Sequence, residues 1–162
     1  IEEFPVAKFK QLLDVMLTAP FILMKQILPV MKKQNFGRII NMASVNGLIG
    51  FAGKSAYNSA KHGLVGLSKV IALESANYDI TVNALCPGYV NTSLVANQLA
   101  DLSKSRGMSH DKVLEDVIFP FVPQKRLLEP LEVANYALYL ASPLAKGITG
   151  QALPIDGGYT CQ

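Results

Sequence analysis

The chain has 162 residues, of which half are hydrophobic and only 17% are charged, and its net charge at pH 7 is +3. This length fits one domain or one incomplete domain, and the apolar content predicts strands and helices that are buried on more than one face. The basic residues form no cluster interleaved with aromatic residues, which argues against a nucleic-acid-binding protein. No uninterrupted run of about 18 apolar residues is present, so we expect a soluble, cytoplasmic protein without a membrane partner.

Helices and strands alternate along the chain. The first predicted element is a long helix over residues 5–33, with Pro5 in its first turn and a kink or local break at Pro20 and Pro29. The elements that follow are, in order, a strand at 36–43, a glycine-bearing loop at 44–55, a helix at 56–77 whose Gly63 and Gly66 allow close packing, a strand at 80–86, a mobile polar segment with weak helices at 91–117, a helix at 131–141 and a strand at 152–155. This alternation predicts an α/β fold with a doubly wound parallel sheet.

Cysteine and histidine residues are too dispersed to predict a metal site. Cys86 and Cys161 form no Cys-x-x-Cys pair, and neither His62 nor His110 has a nearby cysteine or histidine. We expect both cysteines to be reduced, and we expect Cys86, which lies in an apolar strand, to be an inert core residue.

Three residues around the second predicted helix form a candidate acid–base group. Tyr57 and Lys61 are four residues apart, so on a helix they share one face, and Ser44 closes the preceding strand. A nearby ammonium favours the phenolate form of a tyrosine, which can take a proton from a substrate hydroxyl while a serine holds the substrate oxygen. A Tyr-x-x-x-Lys pair alone is more often a surface pair of a helix, so the hypothesis depends on other segments of the chain.

The ends of two predicted strands point to a ligand site. Ser44 ends one strand and Pro87-Gly88 ends the next, and ligands of doubly wound sheets bind beyond the carboxyl ends of the strands. Gly88 permits a close approach of the backbone to a ligand. An ordinary turn after a strand is the alternative interpretation of Pro87-Gly88.

Lys54 indicates the kind of substrate. It lies three residues before Tyr57, in the loop that leads into the helix. A fixed ammonium there can pair with a carboxylate of a small substrate, and Gln98 could hydrogen-bond the same group. The alternatives are a solvated loop lysine and a glutamine on a helix surface.

Several short segments together resemble the short-chain dehydrogenase/reductase family. They are Asn41-Met42-Ala43-Ser44, Tyr57-Asn58-Ser59-Ala60-Lys61, Ile80-Thr81-Val82-Asn83-Ala84, Pro87-Gly88-Tyr89-Val90-Asn91-Thr92 and Ile148-Thr149-Gly150-Gln151 with Asp156-Gly157-Gly158. The resemblance implies a Rossmann-like sheet, whose first strand, glycine-rich turn and helix hold a dinucleotide pyrophosphate. No Gly-x-Gly occurs here, so we expect residues 1–162 to be the C-terminal part of a single such domain, incomplete at its N-terminus.

The resemblance also implies roles for residues at matching positions. Ser44, Tyr57 and Lys61 are expected to be catalytic, with Tyr57 as the general acid/base and with Tyr57 and Lys61 also contacting the cofactor. The other cofactor-binding residues, on the nicotinamide side, are expected to be Pro87, Gly88, Val90 and Thr92. The expected cofactor is NAD, and NADP is the open alternative because the selecting residue belongs to the absent part.

Within the family, members that oxidise D-3-hydroxybutyrate to acetoacetate are the most similar. In them, Lys and Gln at the positions of Lys54 and Gln98 hold the substrate carboxylate, together with a His where this chain has Asn46. An Asn can still donate a hydrogen bond. The expected substrate is therefore a small 3-hydroxy acid, bound by Ser44, Asn46, Lys54, Tyr57 and Gln98.

Two further expectations come from the resemblance. Met16 stands where many family members have an Asn that extends the proton relay from the lysine. The family usually forms tetramers through helices equivalent to those predicted at 6–33 and 56–77, so we expect a homotetramer.

Two alternative functions stay open. One is a reductase of 3-oxoacyl groups on a carrier protein, which would use NADPH and would not need Lys54 or Gln98. The other is a catalytically inactive fragment with a binding or assembly role.

Overall fold

The chain begins with a long helix that contains one irregular turn. The computed structural model describes residues 1–161, and in it α1 (Val6–Leu13) leads through a π-helical turn (Asp14–Thr18) into α2 (Ala19–Gln34). Pro20 lies directly after this wider turn, where its missing N–H is tolerated. α2 continues through Pro29 to Gln34, so the predicted local break occurs before Pro20 and not at Pro29.

Three parallel strands form the sheet, in the order β1-β2-β3. β1 (Gly37–Met42) pairs with β2 (Ile80–Pro87), and β2 pairs with β3 (Ala152–Ile155). All eight residues of the central strand β2 are buried, as expected for a parallel strand covered on both faces. The predicted α/β fold with a parallel sheet is confirmed.

Helices cover both faces of the sheet. On one face, α2 and α3 (Ser55–Glu74) pack through Met24 and Ile71 onto Val82 of the central strand. On the other face, α6 (Pro130–Ala141) packs through Leu140 onto Leu85. Neighbouring residues of a strand point to opposite faces, so a single central strand contributes side chains to both layers.

The segment after β2 is mostly helical. It forms α4 (Ser93–Arg106) and α5 (His110–Val113), followed by a π-helical turn at Leu114–Ile118. A separate apolar cluster supports these helices; its buried members are Leu99, Val113, Ile118 and Val122. The predicted helices are present, and sparse apolar residues from several of their turns meet in one cluster.

The first helical segment leaves much of its apolar surface exposed. By length and composition, Val6–Gln34 is the one helix within residues 1–161 that could cross a membrane, and only 11% of its most apolar window is buried. The sequence led us to expect no segment of this kind. Core helices of soluble proteins meet the same criterion of length and composition. Leu23 is 69% exposed and Val30, two helical turns later on the same side, is 53% exposed, so α2 presents an apolar face that can pack against another surface.

Candidate active site

A cavity of about 660 Å³ lies where β1 and β2 end. Nine of the residues selected from the sequence line it: Ser44, Asn46, Lys54, Tyr57, Pro87, Gly88, Val90, Thr92 and Gln98. The fold thus brings together residues that are up to about a third of the described chain apart in sequence. Lys61 is not among the residues that line the cavity. Met16, which lies in the π-helical turn, is not among them either.

Ser44 is fixed at the end of β1 by the backbone that follows it. Its hydroxyl oxygen accepts a hydrogen bond from the Asn46 backbone N–H (3.2 Å), at the start of a 3-10 turn (Val45–Gly47). A Cβ on Gly47 would lie 2.8 Å from the Lys61 carbonyl oxygen, so a glycine is needed for this turn to pack on α3. Ser44 and Asn46 are 9% and 6% exposed, and both are presented to the cavity.

Tyr57 and Lys61 lie one turn apart on α3, as predicted. Lys61 Nζ is 5.7 Å from the centroid of the Tyr57 ring, and it donates a 2.8 Å hydrogen bond to the Met42 carbonyl at the end of β1. Burial lowers the pKa of Lys61, and the nearby Cys86 thiol opposes this effect. The ammonium is therefore anchored between the end of β1 and the phenol ring.

Cys86 is part of the core under the site. It is fully buried, burial raises the pKa of its thiol, and its Sγ donates to the Ala84 carbonyl (3.5 Å). This agrees with the prediction of an inert core residue, since a buried thiol is a poor nucleophile.

Lys54 brings a positive charge to the cavity without a built-in partner. It lies at the start of α3, half-buried, and within residues 1–161 it forms no ion pair. Its Nζ lies 4.7 Å from the centroid of the Phe51 ring. Burial lowers the pKa of Lys54, because a desolvated cation lacks the water that would stabilise it. An anionic ligand at this position would supply the missing stabilisation.

Gln98 and Thr92 reach the cavity from α4. Gln98 is exposed on the helix and lines the cavity. Thr92 caps α4: its hydroxyl accepts from the Val95 N–H (3.4 Å) and donates to the Val90 carbonyl (3.4 Å). The Thr92 hydroxyl thus has a structural role beside the cofactor role that the sequence predicts.

At Gly88 the backbone of β2's end lies close to the backbone of Asp156, which leaves little room for a side chain. A Cβ added there would lie 3.0 Å from Asp156 Cα, and the Gly88 N–H donates to the Ile155 carbonyl (2.9 Å). The cavity is lined mainly by carbon atoms beside this exposed backbone, a surface that suits one end of a flat aromatic cofactor such as nicotinamide. The residues described here fit that end of a dinucleotide; no glycine-rich pyrophosphate loop belongs to this sequence.

An aromatic wall of the cavity was missed by the sequence reasoning. The rings of Tyr89 and Tyr159 lie 6.1 Å apart, and burial raises the pKa of both phenols. The turn that carries Tyr159 is fixed on both sides of the tyrosine by the Asp156 carboxylate. This carboxylate accepts hydrogen bonds from the Gly158 N–H (2.9 Å) and from the Thr160 N–H (2.9 Å) and hydroxyl (2.6 Å). The segment Asp156-Gly157-Gly158 was recognised as a motif, but nothing in its sequence shows that the next tyrosine meets Tyr89.

Comparisons with known proteins agree with this geometry. A family profile described as enoyl-(acyl carrier protein) reductase matches residues 1–160. Over 162 residues the chain is 70% identical to a protein of Bacillus subtilis described as an uncharacterized oxidoreductase and 44% identical to a D-beta-hydroxybutyrate dehydrogenase of Rhizobium meliloti. It covers 63% of the length of each of these relatives.

A solved structure shows the same arrangement of elements. The crystal structure of a variant of actinorhodin polyketide ketoreductase with NADPH superimposes with a TM-score of 0.90 at 36% identity. The match covers 98% of this chain and 61% of that one. The parallel sheet and its helices therefore correspond to the larger part of a Rossmann-like domain.

Proposed function

Because the chain belongs to the short-chain dehydrogenase/reductase family, we propose that it is the C-terminal part of a single-domain oxidoreductase that acts on a CH–OH group with NAD(P). The proposed reaction is the reversible, NAD-dependent oxidation of D-3-hydroxybutyrate, the (R) enantiomer, to acetoacetate. The observation that supports the substrate assignment is Lys54, a half-buried cation on the same cavity as Ser44 and Tyr57 that has no ion-pair partner among residues 1–161.

Proton transfer is assigned to the group around α3. Tyr57 takes the proton of the substrate hydroxyl, and in the reverse direction it returns that proton to the carbonyl oxygen. The Ser44 hydroxyl hydrogen-bonds the same substrate oxygen and keeps it near the phenol. Lys61, fixed to the Met42 carbonyl, stabilises the phenolate by its charge.

The cofactor end of the cavity is assigned to the end of β2. Pro87, Gly88, Val90 and Thr92, together with Tyr57 and Lys61, would hold the nicotinamide side. When bound, NAD supplies the acceptor for the hydride that leaves the substrate carbon. The Gly88 backbone and the surrounding apolar side chains exclude water from that face.

The carboxylate end is assigned to three side chains. The Lys54 ammonium forms a charge-assisted contact with the substrate carboxylate, and the Gln98 and Asn46 amides donate hydrogen bonds to it. The reacting hydroxyl, two carbons away from the carboxylate, then lies between Ser44 and Tyr57.

A second candidate function is reduction of a 3-oxoacyl group on a carrier, with NADPH. The likeness to a polyketide ketoreductase with NADPH favours it. A thioester substrate has no carboxylate at this end, so it leaves Lys54 without a counter-ion. For this reason the acid is the preferred substrate.

We further propose a cytoplasmic homotetramer in which the exposed apolar faces of α2 and α3 pack against other copies across two different two-fold axes. Leu23 and Val30 on α2, and Val70 and Leu73 on α3, are exposed here, and burial of such surface is the main driving force for association. Two-fold packing of one face on itself would bury both copies at once.

The test of the proposed function is an activity assay of the full-length protein. D-3-hydroxybutyrate and its coenzyme A thioester are each supplied with NAD and with NADP, and the L acid is the matched control. We expect the highest kcat/KM for the D acid with NAD. Turnover of the thioester with NADP in preference to the acid would support the second candidate, and no turnover of either would reject both.

A further inference from the structure

A turn before α3 places an aromatic ring against the Lys54 ammonium. The Nζ-to-centroid distance of 4.7 Å to Phe51 is one at which the face of an aromatic ring attracts a cation. The Lys54 N–H also donates to the Phe51 carbonyl (3.2 Å), and Gly53 between them has φ +80°. A positive φ at this position is what a type II turn requires. Phe51 and Lys54 are therefore connected twice, by the backbone hydrogen bond of the turn and by the contact between the ring and the ammonium.

The turn is tied to the helix that carries the proton-transfer residue. The Asn58 side-chain Nδ2 donates to the Ile49 carbonyl (2.8 Å), and the Asn58 backbone N–H donates to the Lys54 carbonyl (2.8 Å). Asn58 directly follows Tyr57 on α3. The loop that presents the ammonium is consequently fixed relative to the phenol at both ends.

A lysine needs such support in order to recognise a small acid. Its stem has four rotatable bonds and a large rotamer entropy, so an unsupported ammonium samples many positions. Within residues 1–161, no carboxylate fixes Lys54 before a substrate binds. Phe51 is half-buried and is not among the residues that line the cavity, so it contacts the lysine from behind.

We propose that Phe51 is a positioning residue, whose ring holds the Lys54 ammonium toward the cavity and thereby lowers KM for substrates that carry a carboxylate. This inference rests on the proposed function, because it requires an anionic group of the substrate at Lys54. It assigns Phe51 no contact with substrate or cofactor.

Phe51→Leu removes the ring, and Phe51→Tyr keeps it, in the full-length protein. Loss of a cation–π contact at a partly exposed site should raise KM for D-3-hydroxybutyrate about two- to fivefold, with kcat unchanged. Phe51→Tyr should retain the wild-type KM. The methyl ester of the acid should show no change, since it has no anionic group to meet the ammonium.

A double-mutant comparison separates positioning from a general effect on the loop. In a Lys54→Met background, Phe51→Leu should have no further effect on KM. A KM increase that persists in that background, or that is equal for acid and ester, overturns the inference. Melting temperatures are measured for all variants, and Phe51→Met replaces Phe51→Leu if the leucine variant is unstable.

An NMR measurement keeps this inference separate from the proposed function. If the wild-type protein does not oxidise the acid, the proposed function fails. The contact is then read from the ¹³C-methylated Lys54 side chain, whose methyl signals are shifted by the nearby ring. Loss of this shift in Phe51→Leu, with retention in Phe51→Tyr, supports the positioning of Lys54, and an unchanged shift in Phe51→Leu overturns it.

Discussion

Replacing Lys54 by methionine tests the substrate assignment most directly. Methionine keeps most of the apolar stem beside Phe51 and removes only the charge. A charge-assisted hydrogen bond contributes about 1.5–3 kcal/mol, which is roughly a tenfold to hundredfold effect on kcat/KM. Because Lys54 is only half-buried, water weakens the contact, and we expect the lower end, roughly ten- to thirtyfold.

The assay compares D-3-hydroxybutyrate with its methyl ester on wild-type and Lys54→Met protein. The loss should fall mainly on KM for the acid, while the ester and the KM for NAD stay nearly unchanged. Lys69→Met, on an exposed position of the same helix, is the matched control and should leave both substrates unaffected. Equal losses on acid and ester would mean that Lys54 supports the loop rather than the carboxylate.

The pH dependence of KM gives a second measure of the same charge. Burial lowers the pKa of Lys54 below its ordinary value of 10.5, so the ammonium loses its proton at a lower pH than an exposed lysine. The charged form exists below that pKa. KM for the acid should therefore rise as the pH increases through it, and this rise should be absent in Lys54→Met. A wild-type KM that is independent of pH in the alkaline range would contradict the assignment.

Three other predictions concern chemistry, packing and assembly. Tyr57→Phe should lower turnover about 10²–10⁴-fold with an unchanged melting temperature, whereas the control Tyr78→Phe stays active; near-normal activity would remove Tyr57 from the mechanism. Gly88→Ala should destabilise the protein by about 1–3 kcal/mol and raise KM for NAD, because the added Cβ meets backbone. Gly66→Ala, where a Cβ meets nothing within 4 Å, should be neutral or stabilising in the same denaturation experiment. Light scattering should show a tetramer that Leu23→Glu dissociates, and a wild-type monomer at micromolar concentration would reject the assembly.

The residues that the sequence placed correctly are connected by local rules. Ser44 follows a strand, and Tyr57 and Lys61 share a helix face, so the periods of strand and helix and the carboxyl-end rule for parallel sheets suffice to bring them together. Lys54 is placed because it lies in the short loop between these elements. Such positions depend on few contacts with distant parts of the chain.

Features that depend on packing between distant segments could not be predicted in the same way. Pro20 predicts an irregularity in the first helix, but not that this irregularity is a π-helical turn. In that turn Leu17 contacts Gly63 of α3, and a Cβ on Gly63 would lie 2.7 Å from the Leu17 side chain. Gly66 carries the same sequence signal as Gly63, but among residues 1–161 a Cβ added at Gly66 would have no neighbour within 4 Å. The pairing of Tyr89 with Tyr159 requires β3 beside β2, which no spacing rule supplies.

The close approach of Gly88 to Asp156 has a consequence for how the cavity forms during synthesis. The two residues are far apart in the chain, and contacts of large sequence separation form late because long loops must close first. While the ribosome is still adding residues after β2, Ser44, Tyr57 and Lys61 can already be in place beside a cavity that lacks one wall. The cavity should therefore be complete only after β3 and the turn at Asp156 have left the exit tunnel, so a nascent chain would hold these three side chains in place before the wall beside them has formed.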